Sequence, residues 1–149
     1  MGKIIDGKAL SQKIFEDIKK EHDKIKEKVR RSAGLAVIIV GENAASQVYV
    51  RNKIRACEKV GFYSETIRLP EDITQEELLC KIRKLNEDKK IDGILVQLPL
   101  PKHIDELKVI NEIASSKDVD GFHAENIGKM MIGDKTGFLP CTPYGIMQM

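Results

Sequence analysis

The chain has 149 residues, 42% hydrophobic and 32% charged, which is enough for one buried core in a water-soluble fold. Lys and Arg number 25 against 23 Asp and Glu, so the net charge of +2 gives no bulk electrostatic case for nucleic acid or an anionic membrane. The expected partner is a small molecule.

The opening MGKIIDGKAL has no apolar stretch of signal-peptide length, and no run approaches the ~20 residues that span a bilayer. Asp6 stands where a myristoylation pattern needs Ser or Thr. The chain therefore reads as cytoplasmic. Over residues 8–30, Leu10, Ile14, Ile18, Ile25 and Val29 recur at helical spacing, and KKEHDKIKEKVRR supplies a mixed-charge solvated face. The interleaved acids argue against a basic binding arm.

LAVIIV at 35–40 is a short β-branched run, as expected for a strand covered on both faces. A helix over 44–61 follows it. A second strand is expected at 65–69, then a capping box of Thr74 and Glu77 opening a helix to about 86. A third strand is expected at 91–98 and a helix at 104–114, and Thr142 with Pro143 suits an N-cap and first-turn pair opening a last helix. This alternation predicts an α/β fold: three α/β/α layers around a mostly parallel sheet of βαβ units with right-handed crossovers.

Cys57, Cys80 and Cys141 are odd in number and form no CxxC pair, and His22, His103 and His123 lack ligand spacing. Neither a disulfide framework nor a metal site is expected.

Lys53 is a charge on the wrong side of its helix. At about 100° per residue, Arg51, Asn52, Arg55, Glu58 and Lys59 share a polar arc, together with a misplaced Val48. Lys53 falls between Tyr49, Ala56 and Val60 on one flank and Val50, Ile54, Cys57 and Gly61 on the other, on the side of Ser46. Burial disfavours an ammonium, so a lysine steered inward is expected to exchange protons nearer neutrality than one in water. The alternative is a stem laid on apolar surface with its head in water.

Gln97 interrupts an apolar strand end. Its amide can accept from Lys53 and donate to a ligand without adding a negative charge, or it can satisfy a loop backbone. Pro99 and Pro101 break the strand, one X-Pro bond being a candidate for cis, and Leu98 and Leu100 offer apolar contacts for a flat ring. Of the two acids in DVDG, Asp120 is expected to accept from the N–H groups of a heterocycle and Asp118 to serve a turn or cap. Asx turns before Gly121 are the alternative for both. Ligands in open parallel sheets bind beyond the carboxyl ends of the strands, so Ser46, Tyr49, Lys53, Gln97 and Asp120 are expected to converge there.

The strings VGENAASQVYVRNK, GILVQLPLP, KDVDGFH and FLPCTPYG, in this order, resemble the signature segments of the bifunctional methylenetetrahydrofolate dehydrogenase/methenyltetrahydrofolate cyclohydrolase family. The resemblance implies oxidation of 5,10-methylenetetrahydrofolate with NADP, then hydrolysis of the 5,10-methenyl product to 10-formyltetrahydrofolate. It implies that Lys53 is the acid/base residue, that Tyr49 orients the folate and that Gln97 tunes the lysine. Asp120 would bind the pterin, with Ser46, Val96, Leu98 and Pro99 lining the same cleft. Tetrahydrofolate derivatives are the implied partners, without metal, in a cytoplasmic homodimer.

Ala44 stands where the family usually has proline, which is expected to loosen the helix start. Residues 1–120 correspond to the family's N-terminal catalytic domain and 121–149 to the start of the connection to an NADP-binding Rossmann domain. The cofactor-binding residues are expected in that domain. The chain thus reads as an N-terminal piece without dehydrogenase activity, either retaining the hydrolysis or binding folate without turnover.

Overall fold

A computed structural model describes residue 2 and residues 4–149. Its elements are α1 (Gly7–Val29), β1 (Gly34–Val40), α2 (Ala44–Val60), β2 (Tyr63–Leu69), α3 (Gln75–Glu87), β3 (Gly93–Val96), α4 (Glu106–Glu112), α5 (Ala124–Met131) and α6 (Cys141–Gln148). The sheet runs β2-β1-β3 with every pair parallel. Helices cover both faces, so the α/β sandwich stands as expected.

The central strand explains the layering. Ala36, Ile38 and Val40 turn to one face and pack with Leu78 and Ile82 of α3 and Val109 of α4. Val37 and Ile39 turn to the other and meet Val50 and Ile54 of α2. Residues 36–38 are fully buried, because a parallel strand between two helical layers has no solvent side.

Local signals set the element ends. The Thr74–Glu77 capping box is formed in both directions and opens α3. Gly61 ends α2 at φ +81°, a left-handed turn that favours glycine, with the Phe62 N–H returning to Cys57 O at 2.9 Å. The start of α2 is not loosened by Ala44, since the Asn43 side chain accepts the Ser46 N–H at 3.0 Å.

Four expectations change. The third strand is shorter than 91–98, because Gly93 begins the pairing and the chain leaves the ladder around Gln97. The last helix does not start at Thr142 and Pro143: Pro140 is its N-cap and Cys141 its first residue, which leaves Pro143 in the first turn, where a missing N–H costs nothing. Helix α5 was not expected at all. The apolar stripe of α1 stays largely open, with Ile25 and Val29 exposed, and His22 is the buried residue of that helix.

At the amino end of the sheet, Arg31 donates from Nη1 and Nη2 to Asp92 at 2.6 and 2.7 Å, and the Gly34 N–H donates to the same carboxylate at 2.9 Å. Arg31 above all holds the Asp92 carboxyl below the usual carboxylate range. Such a group stabilises the fold above its unfolded titration point, and the contribution is lost as pH falls through the lower folded one. Asp92→Ala is therefore expected to lower the urea midpoint at neutral pH, by an amount that shrinks below about pH 4. An undiminished difference at low pH would mean that the pair acts by packing alone.

Candidate functional site

The site forms beyond the carboxyl ends of β1 and β3. Pairing places Ile38 beside Val96, and the ladder adds one more bond, from the Gln97 N–H to Ile38 O at 2.8 Å. That bond fixes the Gln97 backbone over α2. Lys53, half-buried on the inner side of α2, donates from Nζ to Gln97 Oε1 at 3.3 Å. The polar arc 51, 52, 55, 58 and 59 is exposed, and Val48 within it is exposed as well.

The orientation of the Gln97 amide follows from both of its neighbours. Its Nε2 donates to Leu98 O at 2.8 Å, so Oε1 is left facing the lysine. The reverse orientation would set an N–H against Nζ and an oxygen against a carbonyl. The expected donation to a ligand is thus diverted, at least for one hydrogen, into the adjacent backbone.

Ser46 is buried, and its hydroxyl donates to the same Leu98 carbonyl at 3.4 Å. Two polar side chains thereby hold the turn that precedes the cis Leu98–Pro99 bond. Val96 is buried, Leu98 half-buried and Pro99 exposed. Tyr49 lies one turn before Lys53 and is 63% exposed, so its ring is open to a ligand and is not core.

The two acids of DVDG differ in their surroundings. Asp118 is buried and serves the turn, accepting the His123 N–H at 2.8 Å, while its carbonyl receives the Gly121 N–H at 3.3 Å. Asp120, two residues on, lies near enough to Lys53 to feel its charge. Burial pushes its carboxyl above the ordinary carboxylate range, the Lys53 charge opposes that shift, and Asp118 adds to it. A small cavity of about 10 Å³ bordered by Leu98, Ile110, Ile113 and Phe122 adjoins Asp120. Lys53 is therefore not served by a neutral partner alone.

Cys141 was not assigned a place from the sequence, although FLPCTPYG contains it. Its thiol donates to Val119 O at 3.1 Å, and burial, followed by the nearby Asp120, raises it above an ordinary thiol while Lys53 pulls the other way. Cys141 thus borders the same group of charges. The structure brings Ser46, Lys53, Gln97, Leu98 and Asp120 together, with Tyr49 at the open rim.

Residues 5–120 match the model of the family described as tetrahydrofolate dehydrogenase/cyclohydrolase, catalytic domain. The chain is 55% identical over 146 residues to the bifunctional protein FolD of Aquifex aeolicus, covering 98% of this chain and 50% of that protein. It is 57% identical over 144 residues to FolD of Moorella thermoacetica, covering 97% and 51%. It superposes on the FolD methylenetetrahydrofolate dehydrogenase/cyclohydrolase structure from Campylobacter jejuni with a TM-score of 0.93 at 52% identity, over 96% of this chain and 50% of that one. The Trypanosoma brucei dehydrogenase-cyclohydrolase, solved with NADP cofactor and inhibitor, gives 0.93 at 34% identity, over 99% and 50%. The chain spans about half the length of the curated relatives it matches.

The opposed influences on Asp120 give a signed expectation. Its carboxyl should titrate above an ordinary aspartate, and Lys53→Met, by removing the opposing charge, should raise it further. Carboxyl ¹³C NMR against pH reads both, and an unchanged or lowered value in the variant would show that the two groups do not face each other.

Proposed function

Because the chain belongs to the tetrahydrofolate dehydrogenase/cyclohydrolase family, we propose that it is the catalytic part of a bifunctional enzyme acting on tetrahydrofolate derivatives. The full protein would oxidise 5,10-methylenetetrahydrofolate with NADP and hydrolyse the 5,10-methenyl product to 10-formyltetrahydrofolate. In this reading it works in the cytoplasm as a homodimer, with residues 1–120 as the catalytic domain and 121–149 leading to a nucleotide domain.

The observation that carries the reading is the half-buried Lys53 held at 3.3 Å by an amide and faced by Asp120 at the carboxyl ends of the strands. The methenyl carbon is an electrophilic amidinium carbon. Lys53 Nζ takes one proton from the water that attacks it and returns that proton to the ring nitrogen as its bond to carbon breaks, while the second proton of that water leaves to solvent as the formyl C=O forms. Gln97 orients Nζ, and Tyr49 supplies a flat surface for the folate. Asp120 accepts from the pterin N–H groups, while Ser46, Val96, Leu98 and Pro99 shape the wall.

The described residues do not fit a dinucleotide. The loop 41–46 holds a single glycine, and at the start of α2 the Ser46 and Gln47 N–H groups are already taken by the Asn43 side chain and carbonyl. NADP is therefore not placed on these residues, and the oxidation is proposed only for a protein of the relatives' full length.

The exposed Tyr49 supports a second reading, a folate-binding module without turnover, because a site open to water on that side encloses less of its ligand. Loss of 5,10-methenyltetrahydrofolate absorbance separates the two. Hydrolysis above a buffer blank is expected, with Lys53→Met reducing it by roughly 10²- to 10⁴-fold. Identical traces for chain, variant and blank would reject catalysis by these 149 residues and leave the binding reading. Tyr49→Ala should raise KM several-fold with little change in kcat, as removal of a stacking surface does.

A further inference from the structure

Asn126 is a polar side chain only 1% exposed, and each of its polar atoms has a partner from a different segment. Nδ2 donates to Ser115 O, which follows α4, at 2.9 Å, and to Asp118 Oδ2 at 2.9 Å. Oδ1 accepts the Phe138 N–H at 3.2 Å. The Asp118 carboxylate, itself 2% exposed, has the His123 N–H as its other donor. A buried network of this kind is costly unless complete, and this one is complete only with an amide at position 126. A carboxylate there would confront both Asp118 and a carbonyl, and an apolar side chain would take their partner from Ser115 O and the Phe138 N–H and leave the Asp118 carboxylate with the His123 N–H alone.

What the network holds is the wall of the site. Asp118 anchors the turn 118–121 beside β3 through its bridge to Ile94, and Asp120 sits on that turn. Gly121, at φ +72°, lies so close to the backbone of Leu139 and Pro140 that an added Cβ would stand 2.6 Å from a Leu139 atom. The Phe138 bond to Asn126 and the Cys141 bond to Val119 fasten that strand of chain on either side of the contact. Two stretches distant from Asn126 in its own helix, the Asp120 turn and residues 138–141, are thus set by one amide.

We propose that Asn126 is a positioning residue for the site: through Asp118 it aims the Asp120 carboxyl at Lys53, and through Phe138 it closes the adjoining wall that carries Cys141. It touches no reacting atom. The ligand arm of this inference rests on the folate reading above, whereas the placement of Asp120 does not.

The test uses the ligand-free chain first. In Asn126→Ala, carboxyl ¹³C NMR should show Asp120 returning toward the ordinary aspartate range as its turn loosens and water reaches it, with Lys53, Asp118 and Cys141 the other titratable groups facing it. Binding of 5-formyltetrahydrofolate, measured by calorimetry, should weaken roughly tenfold, the scale of a misplaced charged hydrogen bond. The same substitution made in Asp120→Asn should then cost little further, which a general loss of structure would not produce. Asp120 titrating as in the parent chain, or equal binding losses in both backgrounds, overturns the proposal. Asn126→Ser serves if the alanine variant does not fold, and failure of both to fold also overturns it, since the residue would then hold the domain and not the site. A shifted Asp120 in a chain whose parent binds no folate upholds the positioning role and rejects the folate reading.

Discussion

The parallel pairing of β1 with β3 decides where chemistry can occur. Its last bond, from the Gln97 N–H to Ile38 O, leaves an amide at the point where both strands end. Helix α2 returns over the same strands, because Val50 and Ile54 must cover Val37 and Ile39. The side chain on that inner face one turn after Tyr49 is Lys53. The contact between lysine and glutamine is thus a by-product of burying two faces of one strand, and a one-residue slip in register would send Gln97 to the other face of the sheet.

Polar groups near the site differ in how their burial is compensated. Asp118 is almost fully enclosed and has donors for its carboxylate, so it serves structure. Asp120 is half-buried, and its carboxyl is raised above the usual range by that burial while the Lys53 charge opposes the shift. Ser46 and Gln97 spend their donors on one carbonyl, that of Leu98. The Leu98 carbonyl is thereby held from two sides, next to the Gln97 amide that accepts from the Lys53 amine. Tyr49 is the opposite case, exposed and unconstrained by packing, and its use depends on what lies over it.

The legible parts of the site were those carried by local period. Lys53 stood out because sidedness within a helix repeats every few residues, and Gln97 because it broke an apolar run. The capping box of α3 followed from Thr74 and Glu77 alone. Helix α5 gave no such signal: its N-cap is His123, an uncommon cap, and the helix is only eight residues long. Asn126 went unnoticed for the same reason, since one asparagine in an unassigned segment reads as a turn residue. The start of α6 was misjudged because Thr142 and Pro143 satisfy the usual cap pattern, while Pro140 opens the helix without any side-chain cap.

The alternation of elements, the two-sided burial of β1, the inward placement of Lys53 and the family signature strings were legible in the amino-acid sequence. Each of these depends on residue types within a few positions of one another. Packing between distant segments alone settled that Gln97, 44 residues beyond Lys53, turns its oxygen and not its nitrogen toward the amine. It also settled that Asp118 and not Asp120 is fully enclosed, and that Cys141 borders the same charges. Those outcomes depend on distances between segments far apart in the chain, and such distances are set by packing and hydrogen-bond closure, for which no local spacing of residues carries a signal.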